Sequence, residues 1–138
     1  MGTGLVTAFL LDTNALLWLV STPDKVAAAV RDTLADPSNE LIVSAVSAWE
    51  IAIKTRIGRL DGVPLLSAWD ETLTSMRAAD LAIDSADAAL ASQLSWSHTD
   101  PFDRMIVAQA TRRGLTIATS DNRITMSALT AVLQVQRT

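Results

Sequence analysis

Hydrophobic positions in this chain alternate between two patterns. Short unbroken apolar runs are separated by longer stretches where apolar residues recur every three or four positions. The runs at 5–11, 41–43, 81–83, 115–119 and 131–135 predict buried strands. The spacing between them predicts helices over 14–20, 22–35, 45–57, 65–79, 85–96, 102–113 and 122–128. Punctuation supports these limits. Thr22-Pro23 reads as a cap with Pro at the first helical position, and Asp36-Pro37-Ser38-Asn39 is a break. Gly58 and Gly114 follow the last periodic residues of two helices, Gly62 to Pro64 marks another interruption, and Ser85 reads as a cap. Strands alternating with helices predict an α/β fold whose central sheet, mostly parallel, is flanked by helices on both faces. No repeat, low-complexity tract or long linker divides residues 1–138, which read as one domain.

Four acids break the pattern. Asp12 ends the first apolar run and Asp121 follows the 115–119 run, placing both at the carboxyl ends of predicted strands, where open α/β sheets bind ligands. Glu50 shares a helical face with Val46, Ile53 and Ile57, and Asp103 shares one with Ile106, Val107 and Ala110. Each acid has a bland explanation. Glu50 can pair with Lys54 four residues on, Asp103 is an acid in the first turn of a helix opened by Asp100-Pro101, and Asp12 and Asp121 can cap the helices that follow them. The joint placement argues for more. Carboxylates aimed into a low-dielectric interior repel one another and cost several kcal/mol unless a cation compensates. Such a cluster is a candidate site for a hard divalent ion, and acids holding two ions about 4 Å apart suit phosphodiester chemistry.

Composition narrows the chemistry further. Hydrophobic residues make up 49% and charged residues 19%, which favours a packed fold over disorder. The absence of cysteine removes disulfides, zinc–thiolate centres and a cysteine nucleophile. No apolar run reaches the roughly 18–20 residues of a membrane span, and no basic leader opens the chain, so a soluble, cytoplasmic protein is expected. The net charge of −4 runs against nucleic-acid binding. Against that, nine of the eleven basic residues are Arg, and a bound cation would offset part of the local negative charge.

Four segments carry a family resemblance across nearly the whole chain. They are Leu10-Leu11-Asp12-Thr13-Asn14-Ala15-Leu16-Leu17-Trp18, then Ser44-Ala45-Val46-Ser47-Ala48-Trp49-Glu50-Ile51-Ala52-Ile53-Lys54, then His98-Thr99-Asp100-Pro101-Phe102-Asp103-Arg104, and Thr119-Ser120-Asp121. In this order and spacing the chain resembles PIN-domain ribonucleases, more narrowly the VapC-type toxins of VapBC toxin–antitoxin modules. The Trp-Glu-Ile helix and the His-x-Asp-Pro-Phe-Asp-Arg block are the specific signatures.

The resemblance implies a PIN-like three-layer sandwich and an endoribonuclease dependent on Mg²⁺ or Mn²⁺ that acts on RNA. It also implies a VapB-like antitoxin partner and a homodimer. Carried over by position, Asp12, Glu50, Asp103 and Asp121 form the catalytic quartet, with Asp12, Asp103 and Asp121 as metal ligands. Asp100, Thr13, Asn14, Arg104 and Ser120 are auxiliary candidates: Asp100 as a supporting acid or a cap, and Thr13, Asn14 and Ser120 as phosphate or carboxylate partners or as turn formers. Arg104 reads as a phosphate contact or, in preference, the partner of an acid such as Asp100. His98, the only histidine, is expected to bond locally or pack the turn. Two alternatives stand beside this reading. One is a catalytically inactive PIN-like binding module. The other, a phospho-receiver signalling domain, wants an acidic pair after the first strand and a late Lys, whereas Asp12 stands alone and the lysines are Lys25 and Lys54.

Overall fold

A computed structural model describes residues 6–137. Among them, five strands form one sheet: β1 (Ala8–Leu11), β2 (Glu40–Ser44), β3 (Ala78–Leu81), β4 (Thr116–Thr119) and β5 (Val132–Gln134). Their order is β3-β2-β1-β4-β5 and every neighbouring pair is parallel. The linking helices are α1 (Thr13–Ser21), α2 (Ala28–Ala35), α3 (Ala45–Arg56), α4 (Val63–Ser67), α5 (Trp69–Met76), α6 (Ser85–Gln93), α7 (Pro101–Arg113) and α8 (Asn122–Ser127).

Alternation along the strands explains why the apolar runs are unbroken. Phe9 and Leu11 point to one face, packing with Leu16, Val43, Ile51 and Leu73, while Leu10 points to the other with Val46, Ile106, Val107 and Ile117. Both faces are covered around β1, so neither side of that strand carries a polar residue. From β1 the chain goes to β2 on one side and later returns to β4 on the other. The strand order therefore reverses between β1 and β4, the crevice where such sheets hold ligands.

Several element limits differ from the sequence expectation. The helix expected over 22–35 is a 3-10 turn at Pro23–Lys25 followed by α2, and Thr22 makes no side-chain cap. Between them Val26 is fully buried and bridges Gln136, while the Ala27 N–H donates to the Val135 carbonyl at 3.0 Å. Tertiary pairing has displaced a locally acceptable helix. The 65–79 helix is two helices, α4 and α5, ending at Met76. Arg77 then adopts a left-handed conformation at φ 56°.

As a result β3 covers Ala78–Leu81, where β2 supplies its partner from Leu41 onward, and of the strand expected at 81–83 only Leu81 belongs to it. Helix α6 stops at Gln93 rather than Trp96, and its cap is Asp84, not Ser85. Asp84 and Asp87 form a reciprocal capping box. The first strand starts at Ala8, with residue 5 outside the described part of the chain. No helix of the described residues is long and apolar enough to cross a membrane.

Candidate active site

Strand β1 delivers Asp12 to the crevice. Its N–H still donates to Ala118 of β4, at 3.1 Å, so the backbone here is held by the sheet. The carboxylate then caps α1, accepting from the Ala15 N–H at 2.8 Å through Oδ1, while Oδ2 accepts from the Thr119 hydroxyl. Only 5% of Asp12 is exposed. Burial pushes its pKa up to about 6, against the pull of Thr119 and Ala15, and the nearby charges of Asp103 and Asp121 push the same way. Among the described residues no Lys, Arg or His pairs with it.

Thr119 also orders the far side. Its hydroxyl accepts the Asp121 N–H at 2.9 Å, which turns the chain out of β4. Asp121 caps α8 and accepts from the Arg123 N–H at 2.8 Å and from the Arg123 guanidinium at 3.2 and 3.3 Å. Burial raises the Asp121 pKa, but the bonds to Arg123 outweigh it and the carboxyl lies below its usual range.

Helix α7 presents Asp103 from its first turn, beneath an Asp100 cap. Asp100 Oδ1 accepts the N–H groups of Phe102 and Asp103 at 2.8 and 3.1 Å. Asp103 Oδ2 lies 2.7 Å from His98 Nε2, the nitrogen that carries the proton when the carboxylate is ionised. Burial lifts the Asp103 pKa, the His98 bond counters it, and the charges of Asp100 and Asp121 lift it again. One turn into α3, Glu50 is 7% exposed and pairs with Lys54.

These side chains converge. Asp12, Thr13, Asn14, Glu50, Lys54, Asp100, Asp103, Ser120, Asp121 and Arg123 line one open cleft of about 320 Å³. One ligand atom from each of His98, Asp103 and Asp121 lies within 4.8 Å of the other two. The quartet named from sequence is therefore brought together, and Asp100 joins it as a cap whose carboxylate also lines the cleft.

The auxiliary candidates divide. Thr13 donates to Ser47 at 3.0 Å in the interior, tying α1 to α3, and Asn14 donates to Ser120 at 3.3 Å across the cleft mouth. Arg104 pairs with no acid among the described residues. All five of its N–H groups go to carbonyls: Nε to Ala91 at 2.8 Å, Nη1 to Trp96 and His98 at 2.7 and 2.9 Å, and Nη2 to Ser92 and Leu94 at 3.3 and 2.9 Å. The expected pairing with Asp100 is thus replaced by a clamp on the segment leading to His98. Ala91, Ser92 and Leu94 lie at the end of α6, where carbonyls run out of intrahelical donors, and Trp96 and His98 follow in the loop, so the guanidinium fork has five acceptors in reach.

His98 does bond locally, and it packs on Trp96 with ring centroids 4.9 Å apart, but its partner is a quartet acid. Sequence reading missed Thr119 and Arg123. A Thr two residues before a strand-end Asp and an Arg two after it were the available signals.

With that geometry in place, comparison with known proteins fixes the class. The PIN domain model matches residues 9–128, and the chain belongs to that family. Among curated proteins, Ribonuclease VapC22 of Mycobacterium tuberculosis (strain ATCC 25618 / H37Rv) is 28% identical over 120 residues, spanning 86% of this chain and 91% of the relative. Solved structures share the fold. VapBC2 from Rickettsia felis, bound to a DNA fragment from its promoter, superposes with a TM-score of 0.72 at 14% identity, covering 94% of this chain and 100% of the other. FitAcB from Neisseria gonorrhoeae gives 0.62 at 25% identity, covering 91% and 96%.

Proposed function

We propose that this chain is an endoribonuclease dependent on Mg²⁺ or Mn²⁺, acting as the toxin of a toxin–antitoxin pair in the cytoplasm, with residues 1–138 working as one domain. The observation that carries this reading is the convergence of Asp12, Glu50, Asp103 and Asp121 on the strand-reversal crevice, with the Asp12 carboxylate buried and paired with no cation among the described residues. The donor set is all hard oxygen apart from His98, which suits Mg²⁺ or Mn²⁺. The 28% identity to a ribonuclease of the VapC type supports the substrate class.

Asp12, Asp103 and Asp121 would hold the ion, which would supply activation of water and neutralisation of phosphate charge. The chain supplies orientation. Thr119 fixes the Asp12 carboxylate, His98 fixes that of Asp103, and Glu50 directs a further acceptor into the cleft. Asn14 and Ser120 stand at the mouth as hydrogen-bonding groups for the RNA backbone. Hydrolysis with water as nucleophile leaves a 5′-phosphate and a 3′-hydroxyl.

Two surfaces suit the protein partners. Trp49, 55% exposed, borders an apolar hollow of about 340 Å³ that also involves Ala88, Ala91 and Met105, a face suited to a second copy of this chain. Leu19 and Val20 of α1 with Met76 of α5 edge a groove suited to an apolar antitoxin segment. Toxin–antitoxin complexes among the structures of this fold, including VapBC-1 from nontypeable Haemophilus influenzae at 17% identity and a TM-score of 0.67 over 92% of this chain and 97% of that one, are in line with that assignment.

The test is cleavage of total cellular RNA by antitoxin-free protein with Mg²⁺, Mn²⁺ or EDTA, alongside Asp12→Asn and Asp103→Asn. Discrete fragments that require the ion and both carboxylates are expected. Fragments that persist in EDTA, or that end in 2′,3′-cyclic phosphate, would overturn the mechanism. Folded protein that binds the ion but cuts nothing would indicate a binding module.

A further inference from the structure

The cleft that must admit a phosphodiester is lined by five carboxylates, Asp12, Glu50, Asp100, Asp103 and Asp121, against two cations, Lys54 and Arg123. Both cations are engaged. Lys54, half-exposed itself, pairs with Glu50 on the α3 wall, a carboxylate that is nearly buried. Arg123 differs in two respects. Its side chain is 64% exposed, and its partner Asp121 also contributes an oxygen to the group formed with His98 and Asp103. An exposed pair of this kind is weakly held and is readily exchanged for another partner.

On the reading of the cleft as a metal-dependent nuclease site, we infer that Arg123 is a metal-released phosphate-binding residue: its guanidinium rests on Asp121 until an ion takes that carboxylate, and then binds a phosphate of the RNA. Three observations support the coupling. The Asp121–Arg123 bonds are made by the Arg123 side chain at 3.2 and 3.3 Å, whereas the backbone N–H holds Asp121 at 2.8 Å independently. The carboxylate therefore keeps its place when the guanidinium leaves. Asp103 and Asp100 also attract Arg123, so neutralising this acidic group loosens every tie that holds it over the cleft. Finally, a guanidinium offers the paired donors that suit phosphate, at the rim of a cleft otherwise hostile to anions.

The inference gives Arg123→Gln opposite effects on two ligands. Titrated with Mn²⁺ alone in a calorimeter, the variant is expected to bind the ion several-fold more tightly, because a competing cation has gone. Binding of a short labelled single-stranded RNA of mixed sequence, followed by anisotropy, is expected to weaken several-fold, but only with Mn²⁺ present. There the salt dependence should become shallower by about 0.7 in log–log slope, the share of one phosphate contact to single-stranded nucleic acid. Arg123→Lys should recover part of the RNA affinity. Unchanged or weaker Mn²⁺ binding in Arg123→Gln would overturn the inference, as would an RNA defect equal with and without Mn²⁺. Wild-type protein that bound neither Mn²⁺ nor RNA would instead remove the nuclease reading itself.

Discussion

At the scale of single residues, the decisive quantity is the cost of keeping Asp12 ionised. Its carboxyl accepts two hydrogen bonds, yet burial and the neighbouring acids still raise its pKa from 3.8 to about 6. The sign of the consequence is fixed. A group whose folded pKa exceeds its unfolded one favours the folded state at low pH, and ionisation weakens that state as pH rises through the folded value. Between pH 3.8 and 6 the metal-free protein should lose stability on account of Asp12, and above 6 the full penalty applies. Asp12→Asn keeps a capping oxygen and removes the charge. It should stabilise the metal-free protein by about 2–3 kcal/mol well above pH 6, with no gain below pH 3.8. Thermal melts in EDTA at the two pH values test this, and the same variant should be inactive on RNA. Equal melting shifts at both pH values would indicate that packing, not ionisation, sets the effect.

At the scale of elements, one side chain makes most of the polar ties to the segment between α6 and α7. Arg104 spends all five donors on the carbonyls of Ala91, Ser92, Leu94, Trp96 and His98. That clamp sets where His98 stands, and His98 orients Asp103. Removing it by Arg104→Ala leaves carbonyls without protein donors, at a cost of about 2–4 kcal/mol, since charge-assisted bonds contribute about 1.5–3 kcal/mol each and do not add. Urea unfolding should register that loss. Hydrogen exchange should rise first over residues 94–100, with cleavage reduced even where the protein remains folded. Arg104→Lys should rescue little, because a point charge cannot reach five acceptors. Exchange that rises uniformly across the chain would contradict the local role.

At the scale of the whole molecule, an all-parallel sheet with both faces covered leaves its functional surface at the strand ends. What the helices then expose is available for partners. Trp49 meets Phe102 edge-on, with centroids 5.2 Å apart, and leaves much of its indole in solvent beside the apolar hollow. If this face seats a second copy as proposed, Trp49→Glu should yield a monomer on size-exclusion chromatography with light scattering where the unaltered protein runs as a dimer, while far-UV circular dichroism stays unchanged. A dimer that survives would move the interface elsewhere.

The sequence by itself determined the parts governed by local chemistry and pattern. Apolar runs marked every strand but β3, because parallel strands buried on both faces admit few polar residues, whereas β3 is an edge strand with half of its residues exposed. Asp100-Pro101 and Gly114 bounded α7 through capping and a left-handed stop at φ 64°. The four acids were legible because each defied the apolar pattern around it. Only the tertiary structure decided the rest. Val26 left the helix that Thr22-Pro23 would open because its burial and its bridge to Gln136 lie more than a hundred residues away in sequence. Ala78 and Ala79 went to a strand because β2 offered an open edge there. Thr119 became the support of Asp12, and Arg104 the clamp of a loop, because hydrogen bonds depend on which groups meet in space. One-dimensional spacing carries no record of those meetings.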